Sequence, residues 1–180
     1  MHNEIVIAGS GGQGVLLIGR LLAEAGSLEG REVVWLPSYG AEKRGGTVSC
    51  SITISDEKIG ALSITHPNAA IAMNQASAGK LEPSMKINGL LIINQSLVSS
   101  KVSREDICTI YLPANHLAKE LGNDSVANIV ALGALVAECP AVSRSSIITV
   151  MDIMFAKNRK ALEINQLAFS KGLSWRLQTS

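Results

Sequence analysis

Two short stretches carry residues whose types and spacing could act on a ligand. The first is Gly9-Ser10-Gly11-Gly12-Gln13-Gly14, which follows the apolar run Ile5-Val6-Ile7-Ala8 and leads into Val15-Leu16-Leu17-Ile18. Gly9, Gly11 and Gly14 keep the G-x-G-x-x-G spacing, in which one glycine turns tightly, one lets backbone approach a ligand and one lets helix pack close to strand. A helix that starts here offers free N–H groups and the positive end of its dipole to an anion. The same glycines could instead serve close packing alone. The second stretch is Pro37-Ser38-Tyr39-Gly40-Ala41-Glu42-Lys43-Arg44-Gly45-Gly46, where two basic residues, an acid and a tyrosine stand among three glycines and a proline. Loops of this kind commonly carry function. An Arg44 guanidinium beside Gly45 and Gly46 could grip a carboxylate or phosphate with two hydrogen bonds, or pair with Glu42, or meet another subunit.

The elements that must position these stretches follow from periodicity. Val15, Ile18, Leu21, Leu22 and Ala25 fall at helical spacing, and that helix closes near Gly30. Glu32 to Leu36 reads as a second strand, giving a βαβ unit with parallel pairing and a right-handed crossover. Thr47 to Ser55 alternates as a half-buried strand, with Val48, Cys50, Ile52 and Ile54 on one face. Ile59 to Thr65 reads as a short returning strand. Further strands are expected at Ala69–Met73, Leu90–Asn94 and Ile107–Leu112, with a short helix capped by Asn74 running through Leu81. The last third turns helical over Asn115–Leu121, Val126–Ala137, Ser143–Ala156 and Ala161–Lys171. The expected fold is α/β, one domain over residues 1–180, with a mostly parallel sheet, flanking helices and a helical C-terminal third.

Several function classes fall away on composition and motif. A dinucleotide site requires an acid at the end of the second strand to hold a ribose hydroxyl. Here that strand ends in Leu36-Pro37-Ser38, while Glu29 and Glu32 sit before or at its start, on the wrong side of the sheet. There is no G-x-S-x-G elbow and no P-loop ending in Gly-Lys-Ser/Thr. His2, His66 and His116 share no metal-ligand spacing, and His66, ahead of Pro67, belongs in an exposed turn. Cys50, Cys108 and Cys139 form no C-x-x-C pair and read as reduced, mostly buried thiols. Glu105-Asp106 beside Arg104 reads as a solvated turn or a helix start. No catalytic residue is assigned to this chain, and no metal ligand.

The formal net charge is +1 and aromatic residues make up 3%, too little charge to draw in nucleic acid and too few rings to stack on bases. Charged residues make up 17%, below the usual ~25%, so part of the surface is expected to be covered by another subunit. A compact monomer rich in Ala, Ile and Leu would show the same balance. Leu90–Ile93 and Val130–Ala137 are too short to span a bilayer, and the chain enters its first strand without a signal-peptide pattern. The expected compartment is the cytoplasm, without a membrane.

Taken together, Gly9 to Val15 and Ser38-Tyr39-Gly40-Ala41-Glu42-Lys43-Arg44-Gly45-Gly46-Thr47 resemble the gamma subunit of the 2-oxoacid:ferredoxin (acceptor) oxidoreductases. The likeness continues through Ile54-Ser55-Asp56 and Ile71-Ala72-Met73-Asn74-Gln75, and the Ser-Tyr-Gly and Arg-Gly-Gly wording is most similar to the 2-oxoglutarate branch. Two departures stand out: Ala41 where many relatives are expected to have proline, and His66-Pro67 where an acid is common. The resemblance implies a reaction divided among chains. A 2-oxoacid is decarboxylated on thiamine diphosphate, electrons leave through iron–sulfur clusters to ferredoxin or a similar acceptor, and the acyl group passes to coenzyme A. Alpha and beta subunits, with or without a delta, would hold the thiamine diphosphate and clusters, and this chain would wholly bind neither. The resemblance implies a contact wall formed by Gly9, Gly11, Gly12, Gln13, Gly14, Tyr39, Gly40, Arg44, Gly45 and Gly46 on the active-site or coenzyme A side. The alternative reading is a free-standing, non-catalytic nucleotide-binding or structural module.

Overall fold

The computed structural model describes residues 1–40 and 46–175. Its elements in chain order are β1 (His2–Ser10), α1 (Val15–Leu28), β2 (Glu32–Tyr39), β3 (Thr47–Ser55), β4 (Ala69–Ala72), α2 (Gln75–Leu81), β5 (Leu90–Asn94), β6 (Cys108–Leu112), α3 (Ala114–Glu120), α4 (Ala127–Glu138), α5 (Arg144–Met154) and α6 (Arg159–Leu173). The strands form one sheet in the order β2-β3-β1-β4-β5-β6. Pairing is parallel across β1, β4, β5 and β6. β3 runs against both of its neighbours, β1 and β2. The remaining five strands therefore share one direction, and the sheet is mixed but mostly parallel.

This arrangement corrects the expected β1–α1–β2 pairing. β1 and β2 point the same way but do not touch, because β3 lies between them, with Ile52 opposite both Ile5 and Trp35. The reason lies in α1. It rests on β3 through Gly19 and Gly26, where a Cβ would come within 2.5 Å of Cys50 Sγ and 3.2 Å of Ile54 Cγ2. Bare helix backbone over β3 makes room for Cys50, Ile52 and Ile54, all buried. The expected strand at Ile59–Thr65 is absent, and that segment is irregular. The free edges of the sheet lie on β2 and β6, and this segment, weakened as a strand by Gly60, pairs with neither.

The sheet separates two cores. Ile5, Ile7, Ile52, Ile71 and Ile92 face α1 and the C-terminal helices, including Ile18, Leu22, Val130 and Phe169. On the other face, Ala8, Ala70, Ala72, Leu91 and Ile93 pack with Ala78 and Leu81 of α2 and with Met85. Chain termination follows local chemistry. α1 ends on Gly30 at φ +73°, with the Arg31 N–H donating to Gly26 O at 3.1 Å, the six-to-one bond of a glycine-closed helix. Ser143 and Asn158 cap α5 and α6 through their side-chain oxygens. Pro37 sits on β2, the outer strand of the sheet, where a missing N–H is tolerated. No described helix is long and apolar enough to cross a membrane.

Candidate functional site

The connection from β1 leaves over one face of the sheet through α1, and the connection from β4 leaves over the other through α2. The carboxyl ends of β1 and β4 therefore form a topological switch point, the place where open α/β sheets usually bind ligands. In this chain the crevice is occupied by the protein's own amides. Gln13 Nε2 donates to Met73 O at 3.2 Å, while its Oε1 accepts from the Ser10 N–H at 2.7 Å and from Asn74 Nδ2 at 3.3 Å. Asn74 Nδ2 also donates to Ser10 Oγ at 2.7 Å, and Asn74 Oδ1 caps α2 by accepting from the Ser77 N–H at 2.9 Å. Asn74 is thus the expected cap and also half of a bolt across the crevice.

The glycines divide into two kinds. A Cβ on Gly9 would lie 2.7 Å from Gln13 Oε1 and 2.9 Å from Met73 Cβ and Val15 Cγ2, so Gly9 is needed for packing. Gly14 adopts a left-handed φ of +68° as the N-cap of α1, and a Cβ there would collide with the Asn128 amide. Asn128 in turn donates from Nδ2 to Gly14 O at 3.1 Å. Gly11 and Gly12 face open space, with nothing within 4 Å of a Cβ on either, although Gly12 has φ +88°. Packing and accessibility are thus carried by different members of one motif.

The N–H groups are also apportioned. That of Gly11 donates to Gly46 O at 3.2 Å and that of Gln13 to Ser10 O at 3.1 Å. No described residue accepts from the N–H of Gly12 or Gly14, and no side chain caps α1. The first-turn N–H groups of Val15 and Leu16 have no acceptor within a helix. These donors border a cleft of about 380 Å³ lined by Ser10, Gly11, Gly12, Gly14, Val15, Leu16, Leu17, Tyr39 and Val48. Tyr39 is 67% exposed and also lines a second hollow with Ser38, Gly40, Thr47, Ser49 and Lys80. The Gly40 N–H donates to Thr47 O at 2.7 Å. Gly40, Gly46 and the glycine turn are therefore held side by side. Arg44 and Gly45 lie outside the described residues.

Cys50 lies beneath this turn, its Sγ 3.7 Å from Val15 O. Burial pushes its thiol up to about 12, so it is a protonated packing group and not a nucleophile. Cys139 is also buried, whereas Cys108 is exposed on the edge strand β6. The described residues contain no group of three or more His, Cys, Asp or Glu side chains able to hold a metal ion. Sequence reading missed Asn128 and the second role of Asn74. The only signal for Asn128 was an amide inside the apolar run 127–137.

The sequence profile described as pyruvate ferredoxin/flavodoxin oxidoreductase matches residues 4–175. The chain belongs to this family. It is 35% identical over 175 residues to the 2-oxoglutarate synthase subunit KorC of Methanocaldococcus jannaschii, covering 96% of this chain and 92% of that one. It is 33% identical over 173 residues to the ketoisovalerate oxidoreductase subunit VorA of Methanothermobacter marburgensis, covering 96% of this chain but 36% of VorA. The chain thus spans about a third of the VorA length. The crystal structure of the keto/oxoacid ferredoxin oxidoreductase gamma subunit from Geobacter sulfurreducens superposes with a TM-score of 0.82 at 33% identity. That alignment covers 98% of this chain and 99% of that one.

Proposed function

We propose that this chain is the gamma subunit of a multi-subunit, cytoplasmic 2-oxoacid:ferredoxin oxidoreductase whose substrate is 2-oxoglutarate. The observation that carries this reading is the correspondence with KorC, named as a subunit of a 2-oxoglutarate synthase, over nearly the whole of both chains. The dinucleotide-module alternative is weakened because Gln13 and Asn74 fill the crevice that such a ligand would need.

In this reading the alpha and beta subunits hold the thiamine diphosphate on which the 2-oxoacid is decarboxylated, and partner-held clusters pass the electrons to ferredoxin or a similar acceptor. The described residues do not fit an iron–sulfur cluster, and we place none here. This chain supplies a wall. Gly11 and Gly12 leave it flat, and the N–H groups of Gly12, Gly14, Val15 and Leu16 offer it partial positive charge. Arg44, carried on the segment that joins Gly40 to Gly46, meets an anion: a coenzyme A phosphate, a substrate carboxylate or a partner's side chain.

The test is to tag the chain in its native host, purify it without oxygen and assay viologen reduction. The expected result is co-purification of larger thiamine- and cluster-bearing subunits, with dye reduction that requires both 2-oxoglutarate and coenzyme A. Reduction supported by 2-oxoisovalerate instead would move the substrate to that of the VorA relative. A chain that emerges alone and inactive would overturn the assignment. Within the intact complex, Arg44→Ala should raise the apparent constant for coenzyme A or the 2-oxoacid by about tenfold, the loss of one charge-assisted contact. Unchanged kinetics would remove Arg44 from the ligand path.

A further inference from the structure

A larger cleft, of about 570 Å³, lies on the other side of Leu17, between the start of α1, the connection from α3 to α4 and the start of α6. Leu17, Leu121, Val126 and Ile164 give it apolar walls. Asn128 and Asn165 also line it, although their residues are only 3% and 7% exposed. The orientation of both amides is fixed by their donors. Asn128 Nδ2 faces Gly14 O at 3.1 Å and Asn165 Nδ2 faces Ala161 O at 2.7 Å. A carbonyl oxygen can only accept, so in each case the NH₂ end is committed to the backbone and the oxygen is left over.

Neither leftover oxygen accepts a hydrogen bond from a described residue. They are not sealed away either, in contrast to Asn94 Oδ1, which is both buried and unpaired. With its NH₂ committed to the backbone, each amide offers the cleft an acceptor for whatever donor enters. The rim carries the opposite chemistry. The Lys160 ammonium is exposed there and forms no ion pair with a described residue. Asn123 and Asn158 spend their side-chain oxygens on Ser125 and on the α6 cap, so their NH₂ groups are the ends left to the cleft. Glu163 is taken up by Arg159 at 2.9 Å.

The geometry points to a binding site for a small zwitterion with an apolar side chain, an aliphatic or aromatic α-amino acid in chemical class. Its ammonium donates to the oxygens of Asn128 and Asn165, its carboxylate meets Lys160 and the rim amides, and its side chain lies against Leu17, Val126 and Ile164. A 2-oxoacid of the same skeleton brings no N–H and makes neither hydrogen bond to these acceptors, so the site selects amine over oxo group. This assignment rests on the cleft alone and does not depend on the oxidoreductase reading.

The experiment titrates the purified chain with L-leucine, L-valine, L-methionine and L-phenylalanine, and with 2-oxoisocaproate and 2-oxoisovalerate, by calorimetry and by ¹⁵N chemical-shift mapping. At least one amino acid should bind in the millimolar range or tighter, shifting the side-chain amides of Asn128 and Asn165, while its oxo counterpart binds at least about tenfold more weakly. Asn165→Leu should weaken amino-acid binding about tenfold or more. Ile164→Arg, at a partly buried position of the cleft wall, directs a guanidinium into the cleft and should abolish binding while a cooperative thermal transition remains. Absence of binding by every amino acid at about 10 mM would overturn the proposal. So would equal binding of amino and oxo acids, or binding unaffected by Asn165→Leu and Ile164→Arg.

Discussion

The two clefts that meet at Leu17 have opposite polarity. The glycine-turn cleft is bordered by unpaired backbone donors at the start of α1, and the α4–α6 cleft presents fixed amide acceptors in its depth. The first suits an anion and the second an amine. They share one joint, the contact between Asn128 and Gly14, in which the amide donates to one cleft's N-cap carbonyl and turns its oxygen to the other. One helix terminus can therefore be read from two sides with no change in the sheet that carries it.

The strongest blow to this pairing is Gly14→Ala. It forces a side chain into a left-handed φ and against Asn128, and should cost about 2–4 kcal/mol. The melting temperature should fall by roughly 5–15 °C, measured by circular dichroism. An unchanged transition would mean that the joint does not hold the clefts together. Asn128→Ala comes next, at about 1–3 kcal/mol, because Gly14 O loses its side-chain donor. Its amide shifts should spread to both Gly12 and Asn165, and shifts confined to one cleft would separate them. Gly12→Ala should cost about 1–2 kcal/mol for its positive φ alone.

Gly11→Ala is the mildest change and the sharpest. With open space around its Cβ, it should alter the stability of the isolated chain by less than about 0.5 kcal/mol. In the assembled enzyme it should raise the apparent constant for coenzyme A or lower the yield of complex. No effect on either would leave the outer glycines without a partner and confine the motif to packing.

Much of the fold was legible because local chemistry dictates it. Leu90–Asn94 is bounded by turn residues and buried throughout, and the strand runs over those same residues. Gly30, Asn74 and Ser143 end or start helices as their side chains or lack of one require. The position of β3 was not legible, since strand order depends on which ladder α1 covers, and alternation says nothing about neighbours. Ile59–Thr65 has strand-like residues but pairs with neither free edge of the sheet, an outcome that alternation alone does not decide. Between β1 and α1, the glycine spacing located the strand-to-helix turn without separating packing glycines from open ones. That division is set by Met73 and Asn128, which lie far along the chain. The bolt formed by Gln13 was hidden for the same reason, its acceptor lying 60 residues away.

The proline on β2 has a further consequence for the chain in concentrated solution. An outermost strand with a continuous row of donors would invite another molecule to extend the sheet, and repeated extension leads to fibres. Pro37 interrupts that row partway along the strand. A second chain that tried to zip onto β2 would lose its register there, so the residue acts as a built-in stop to polymerisation.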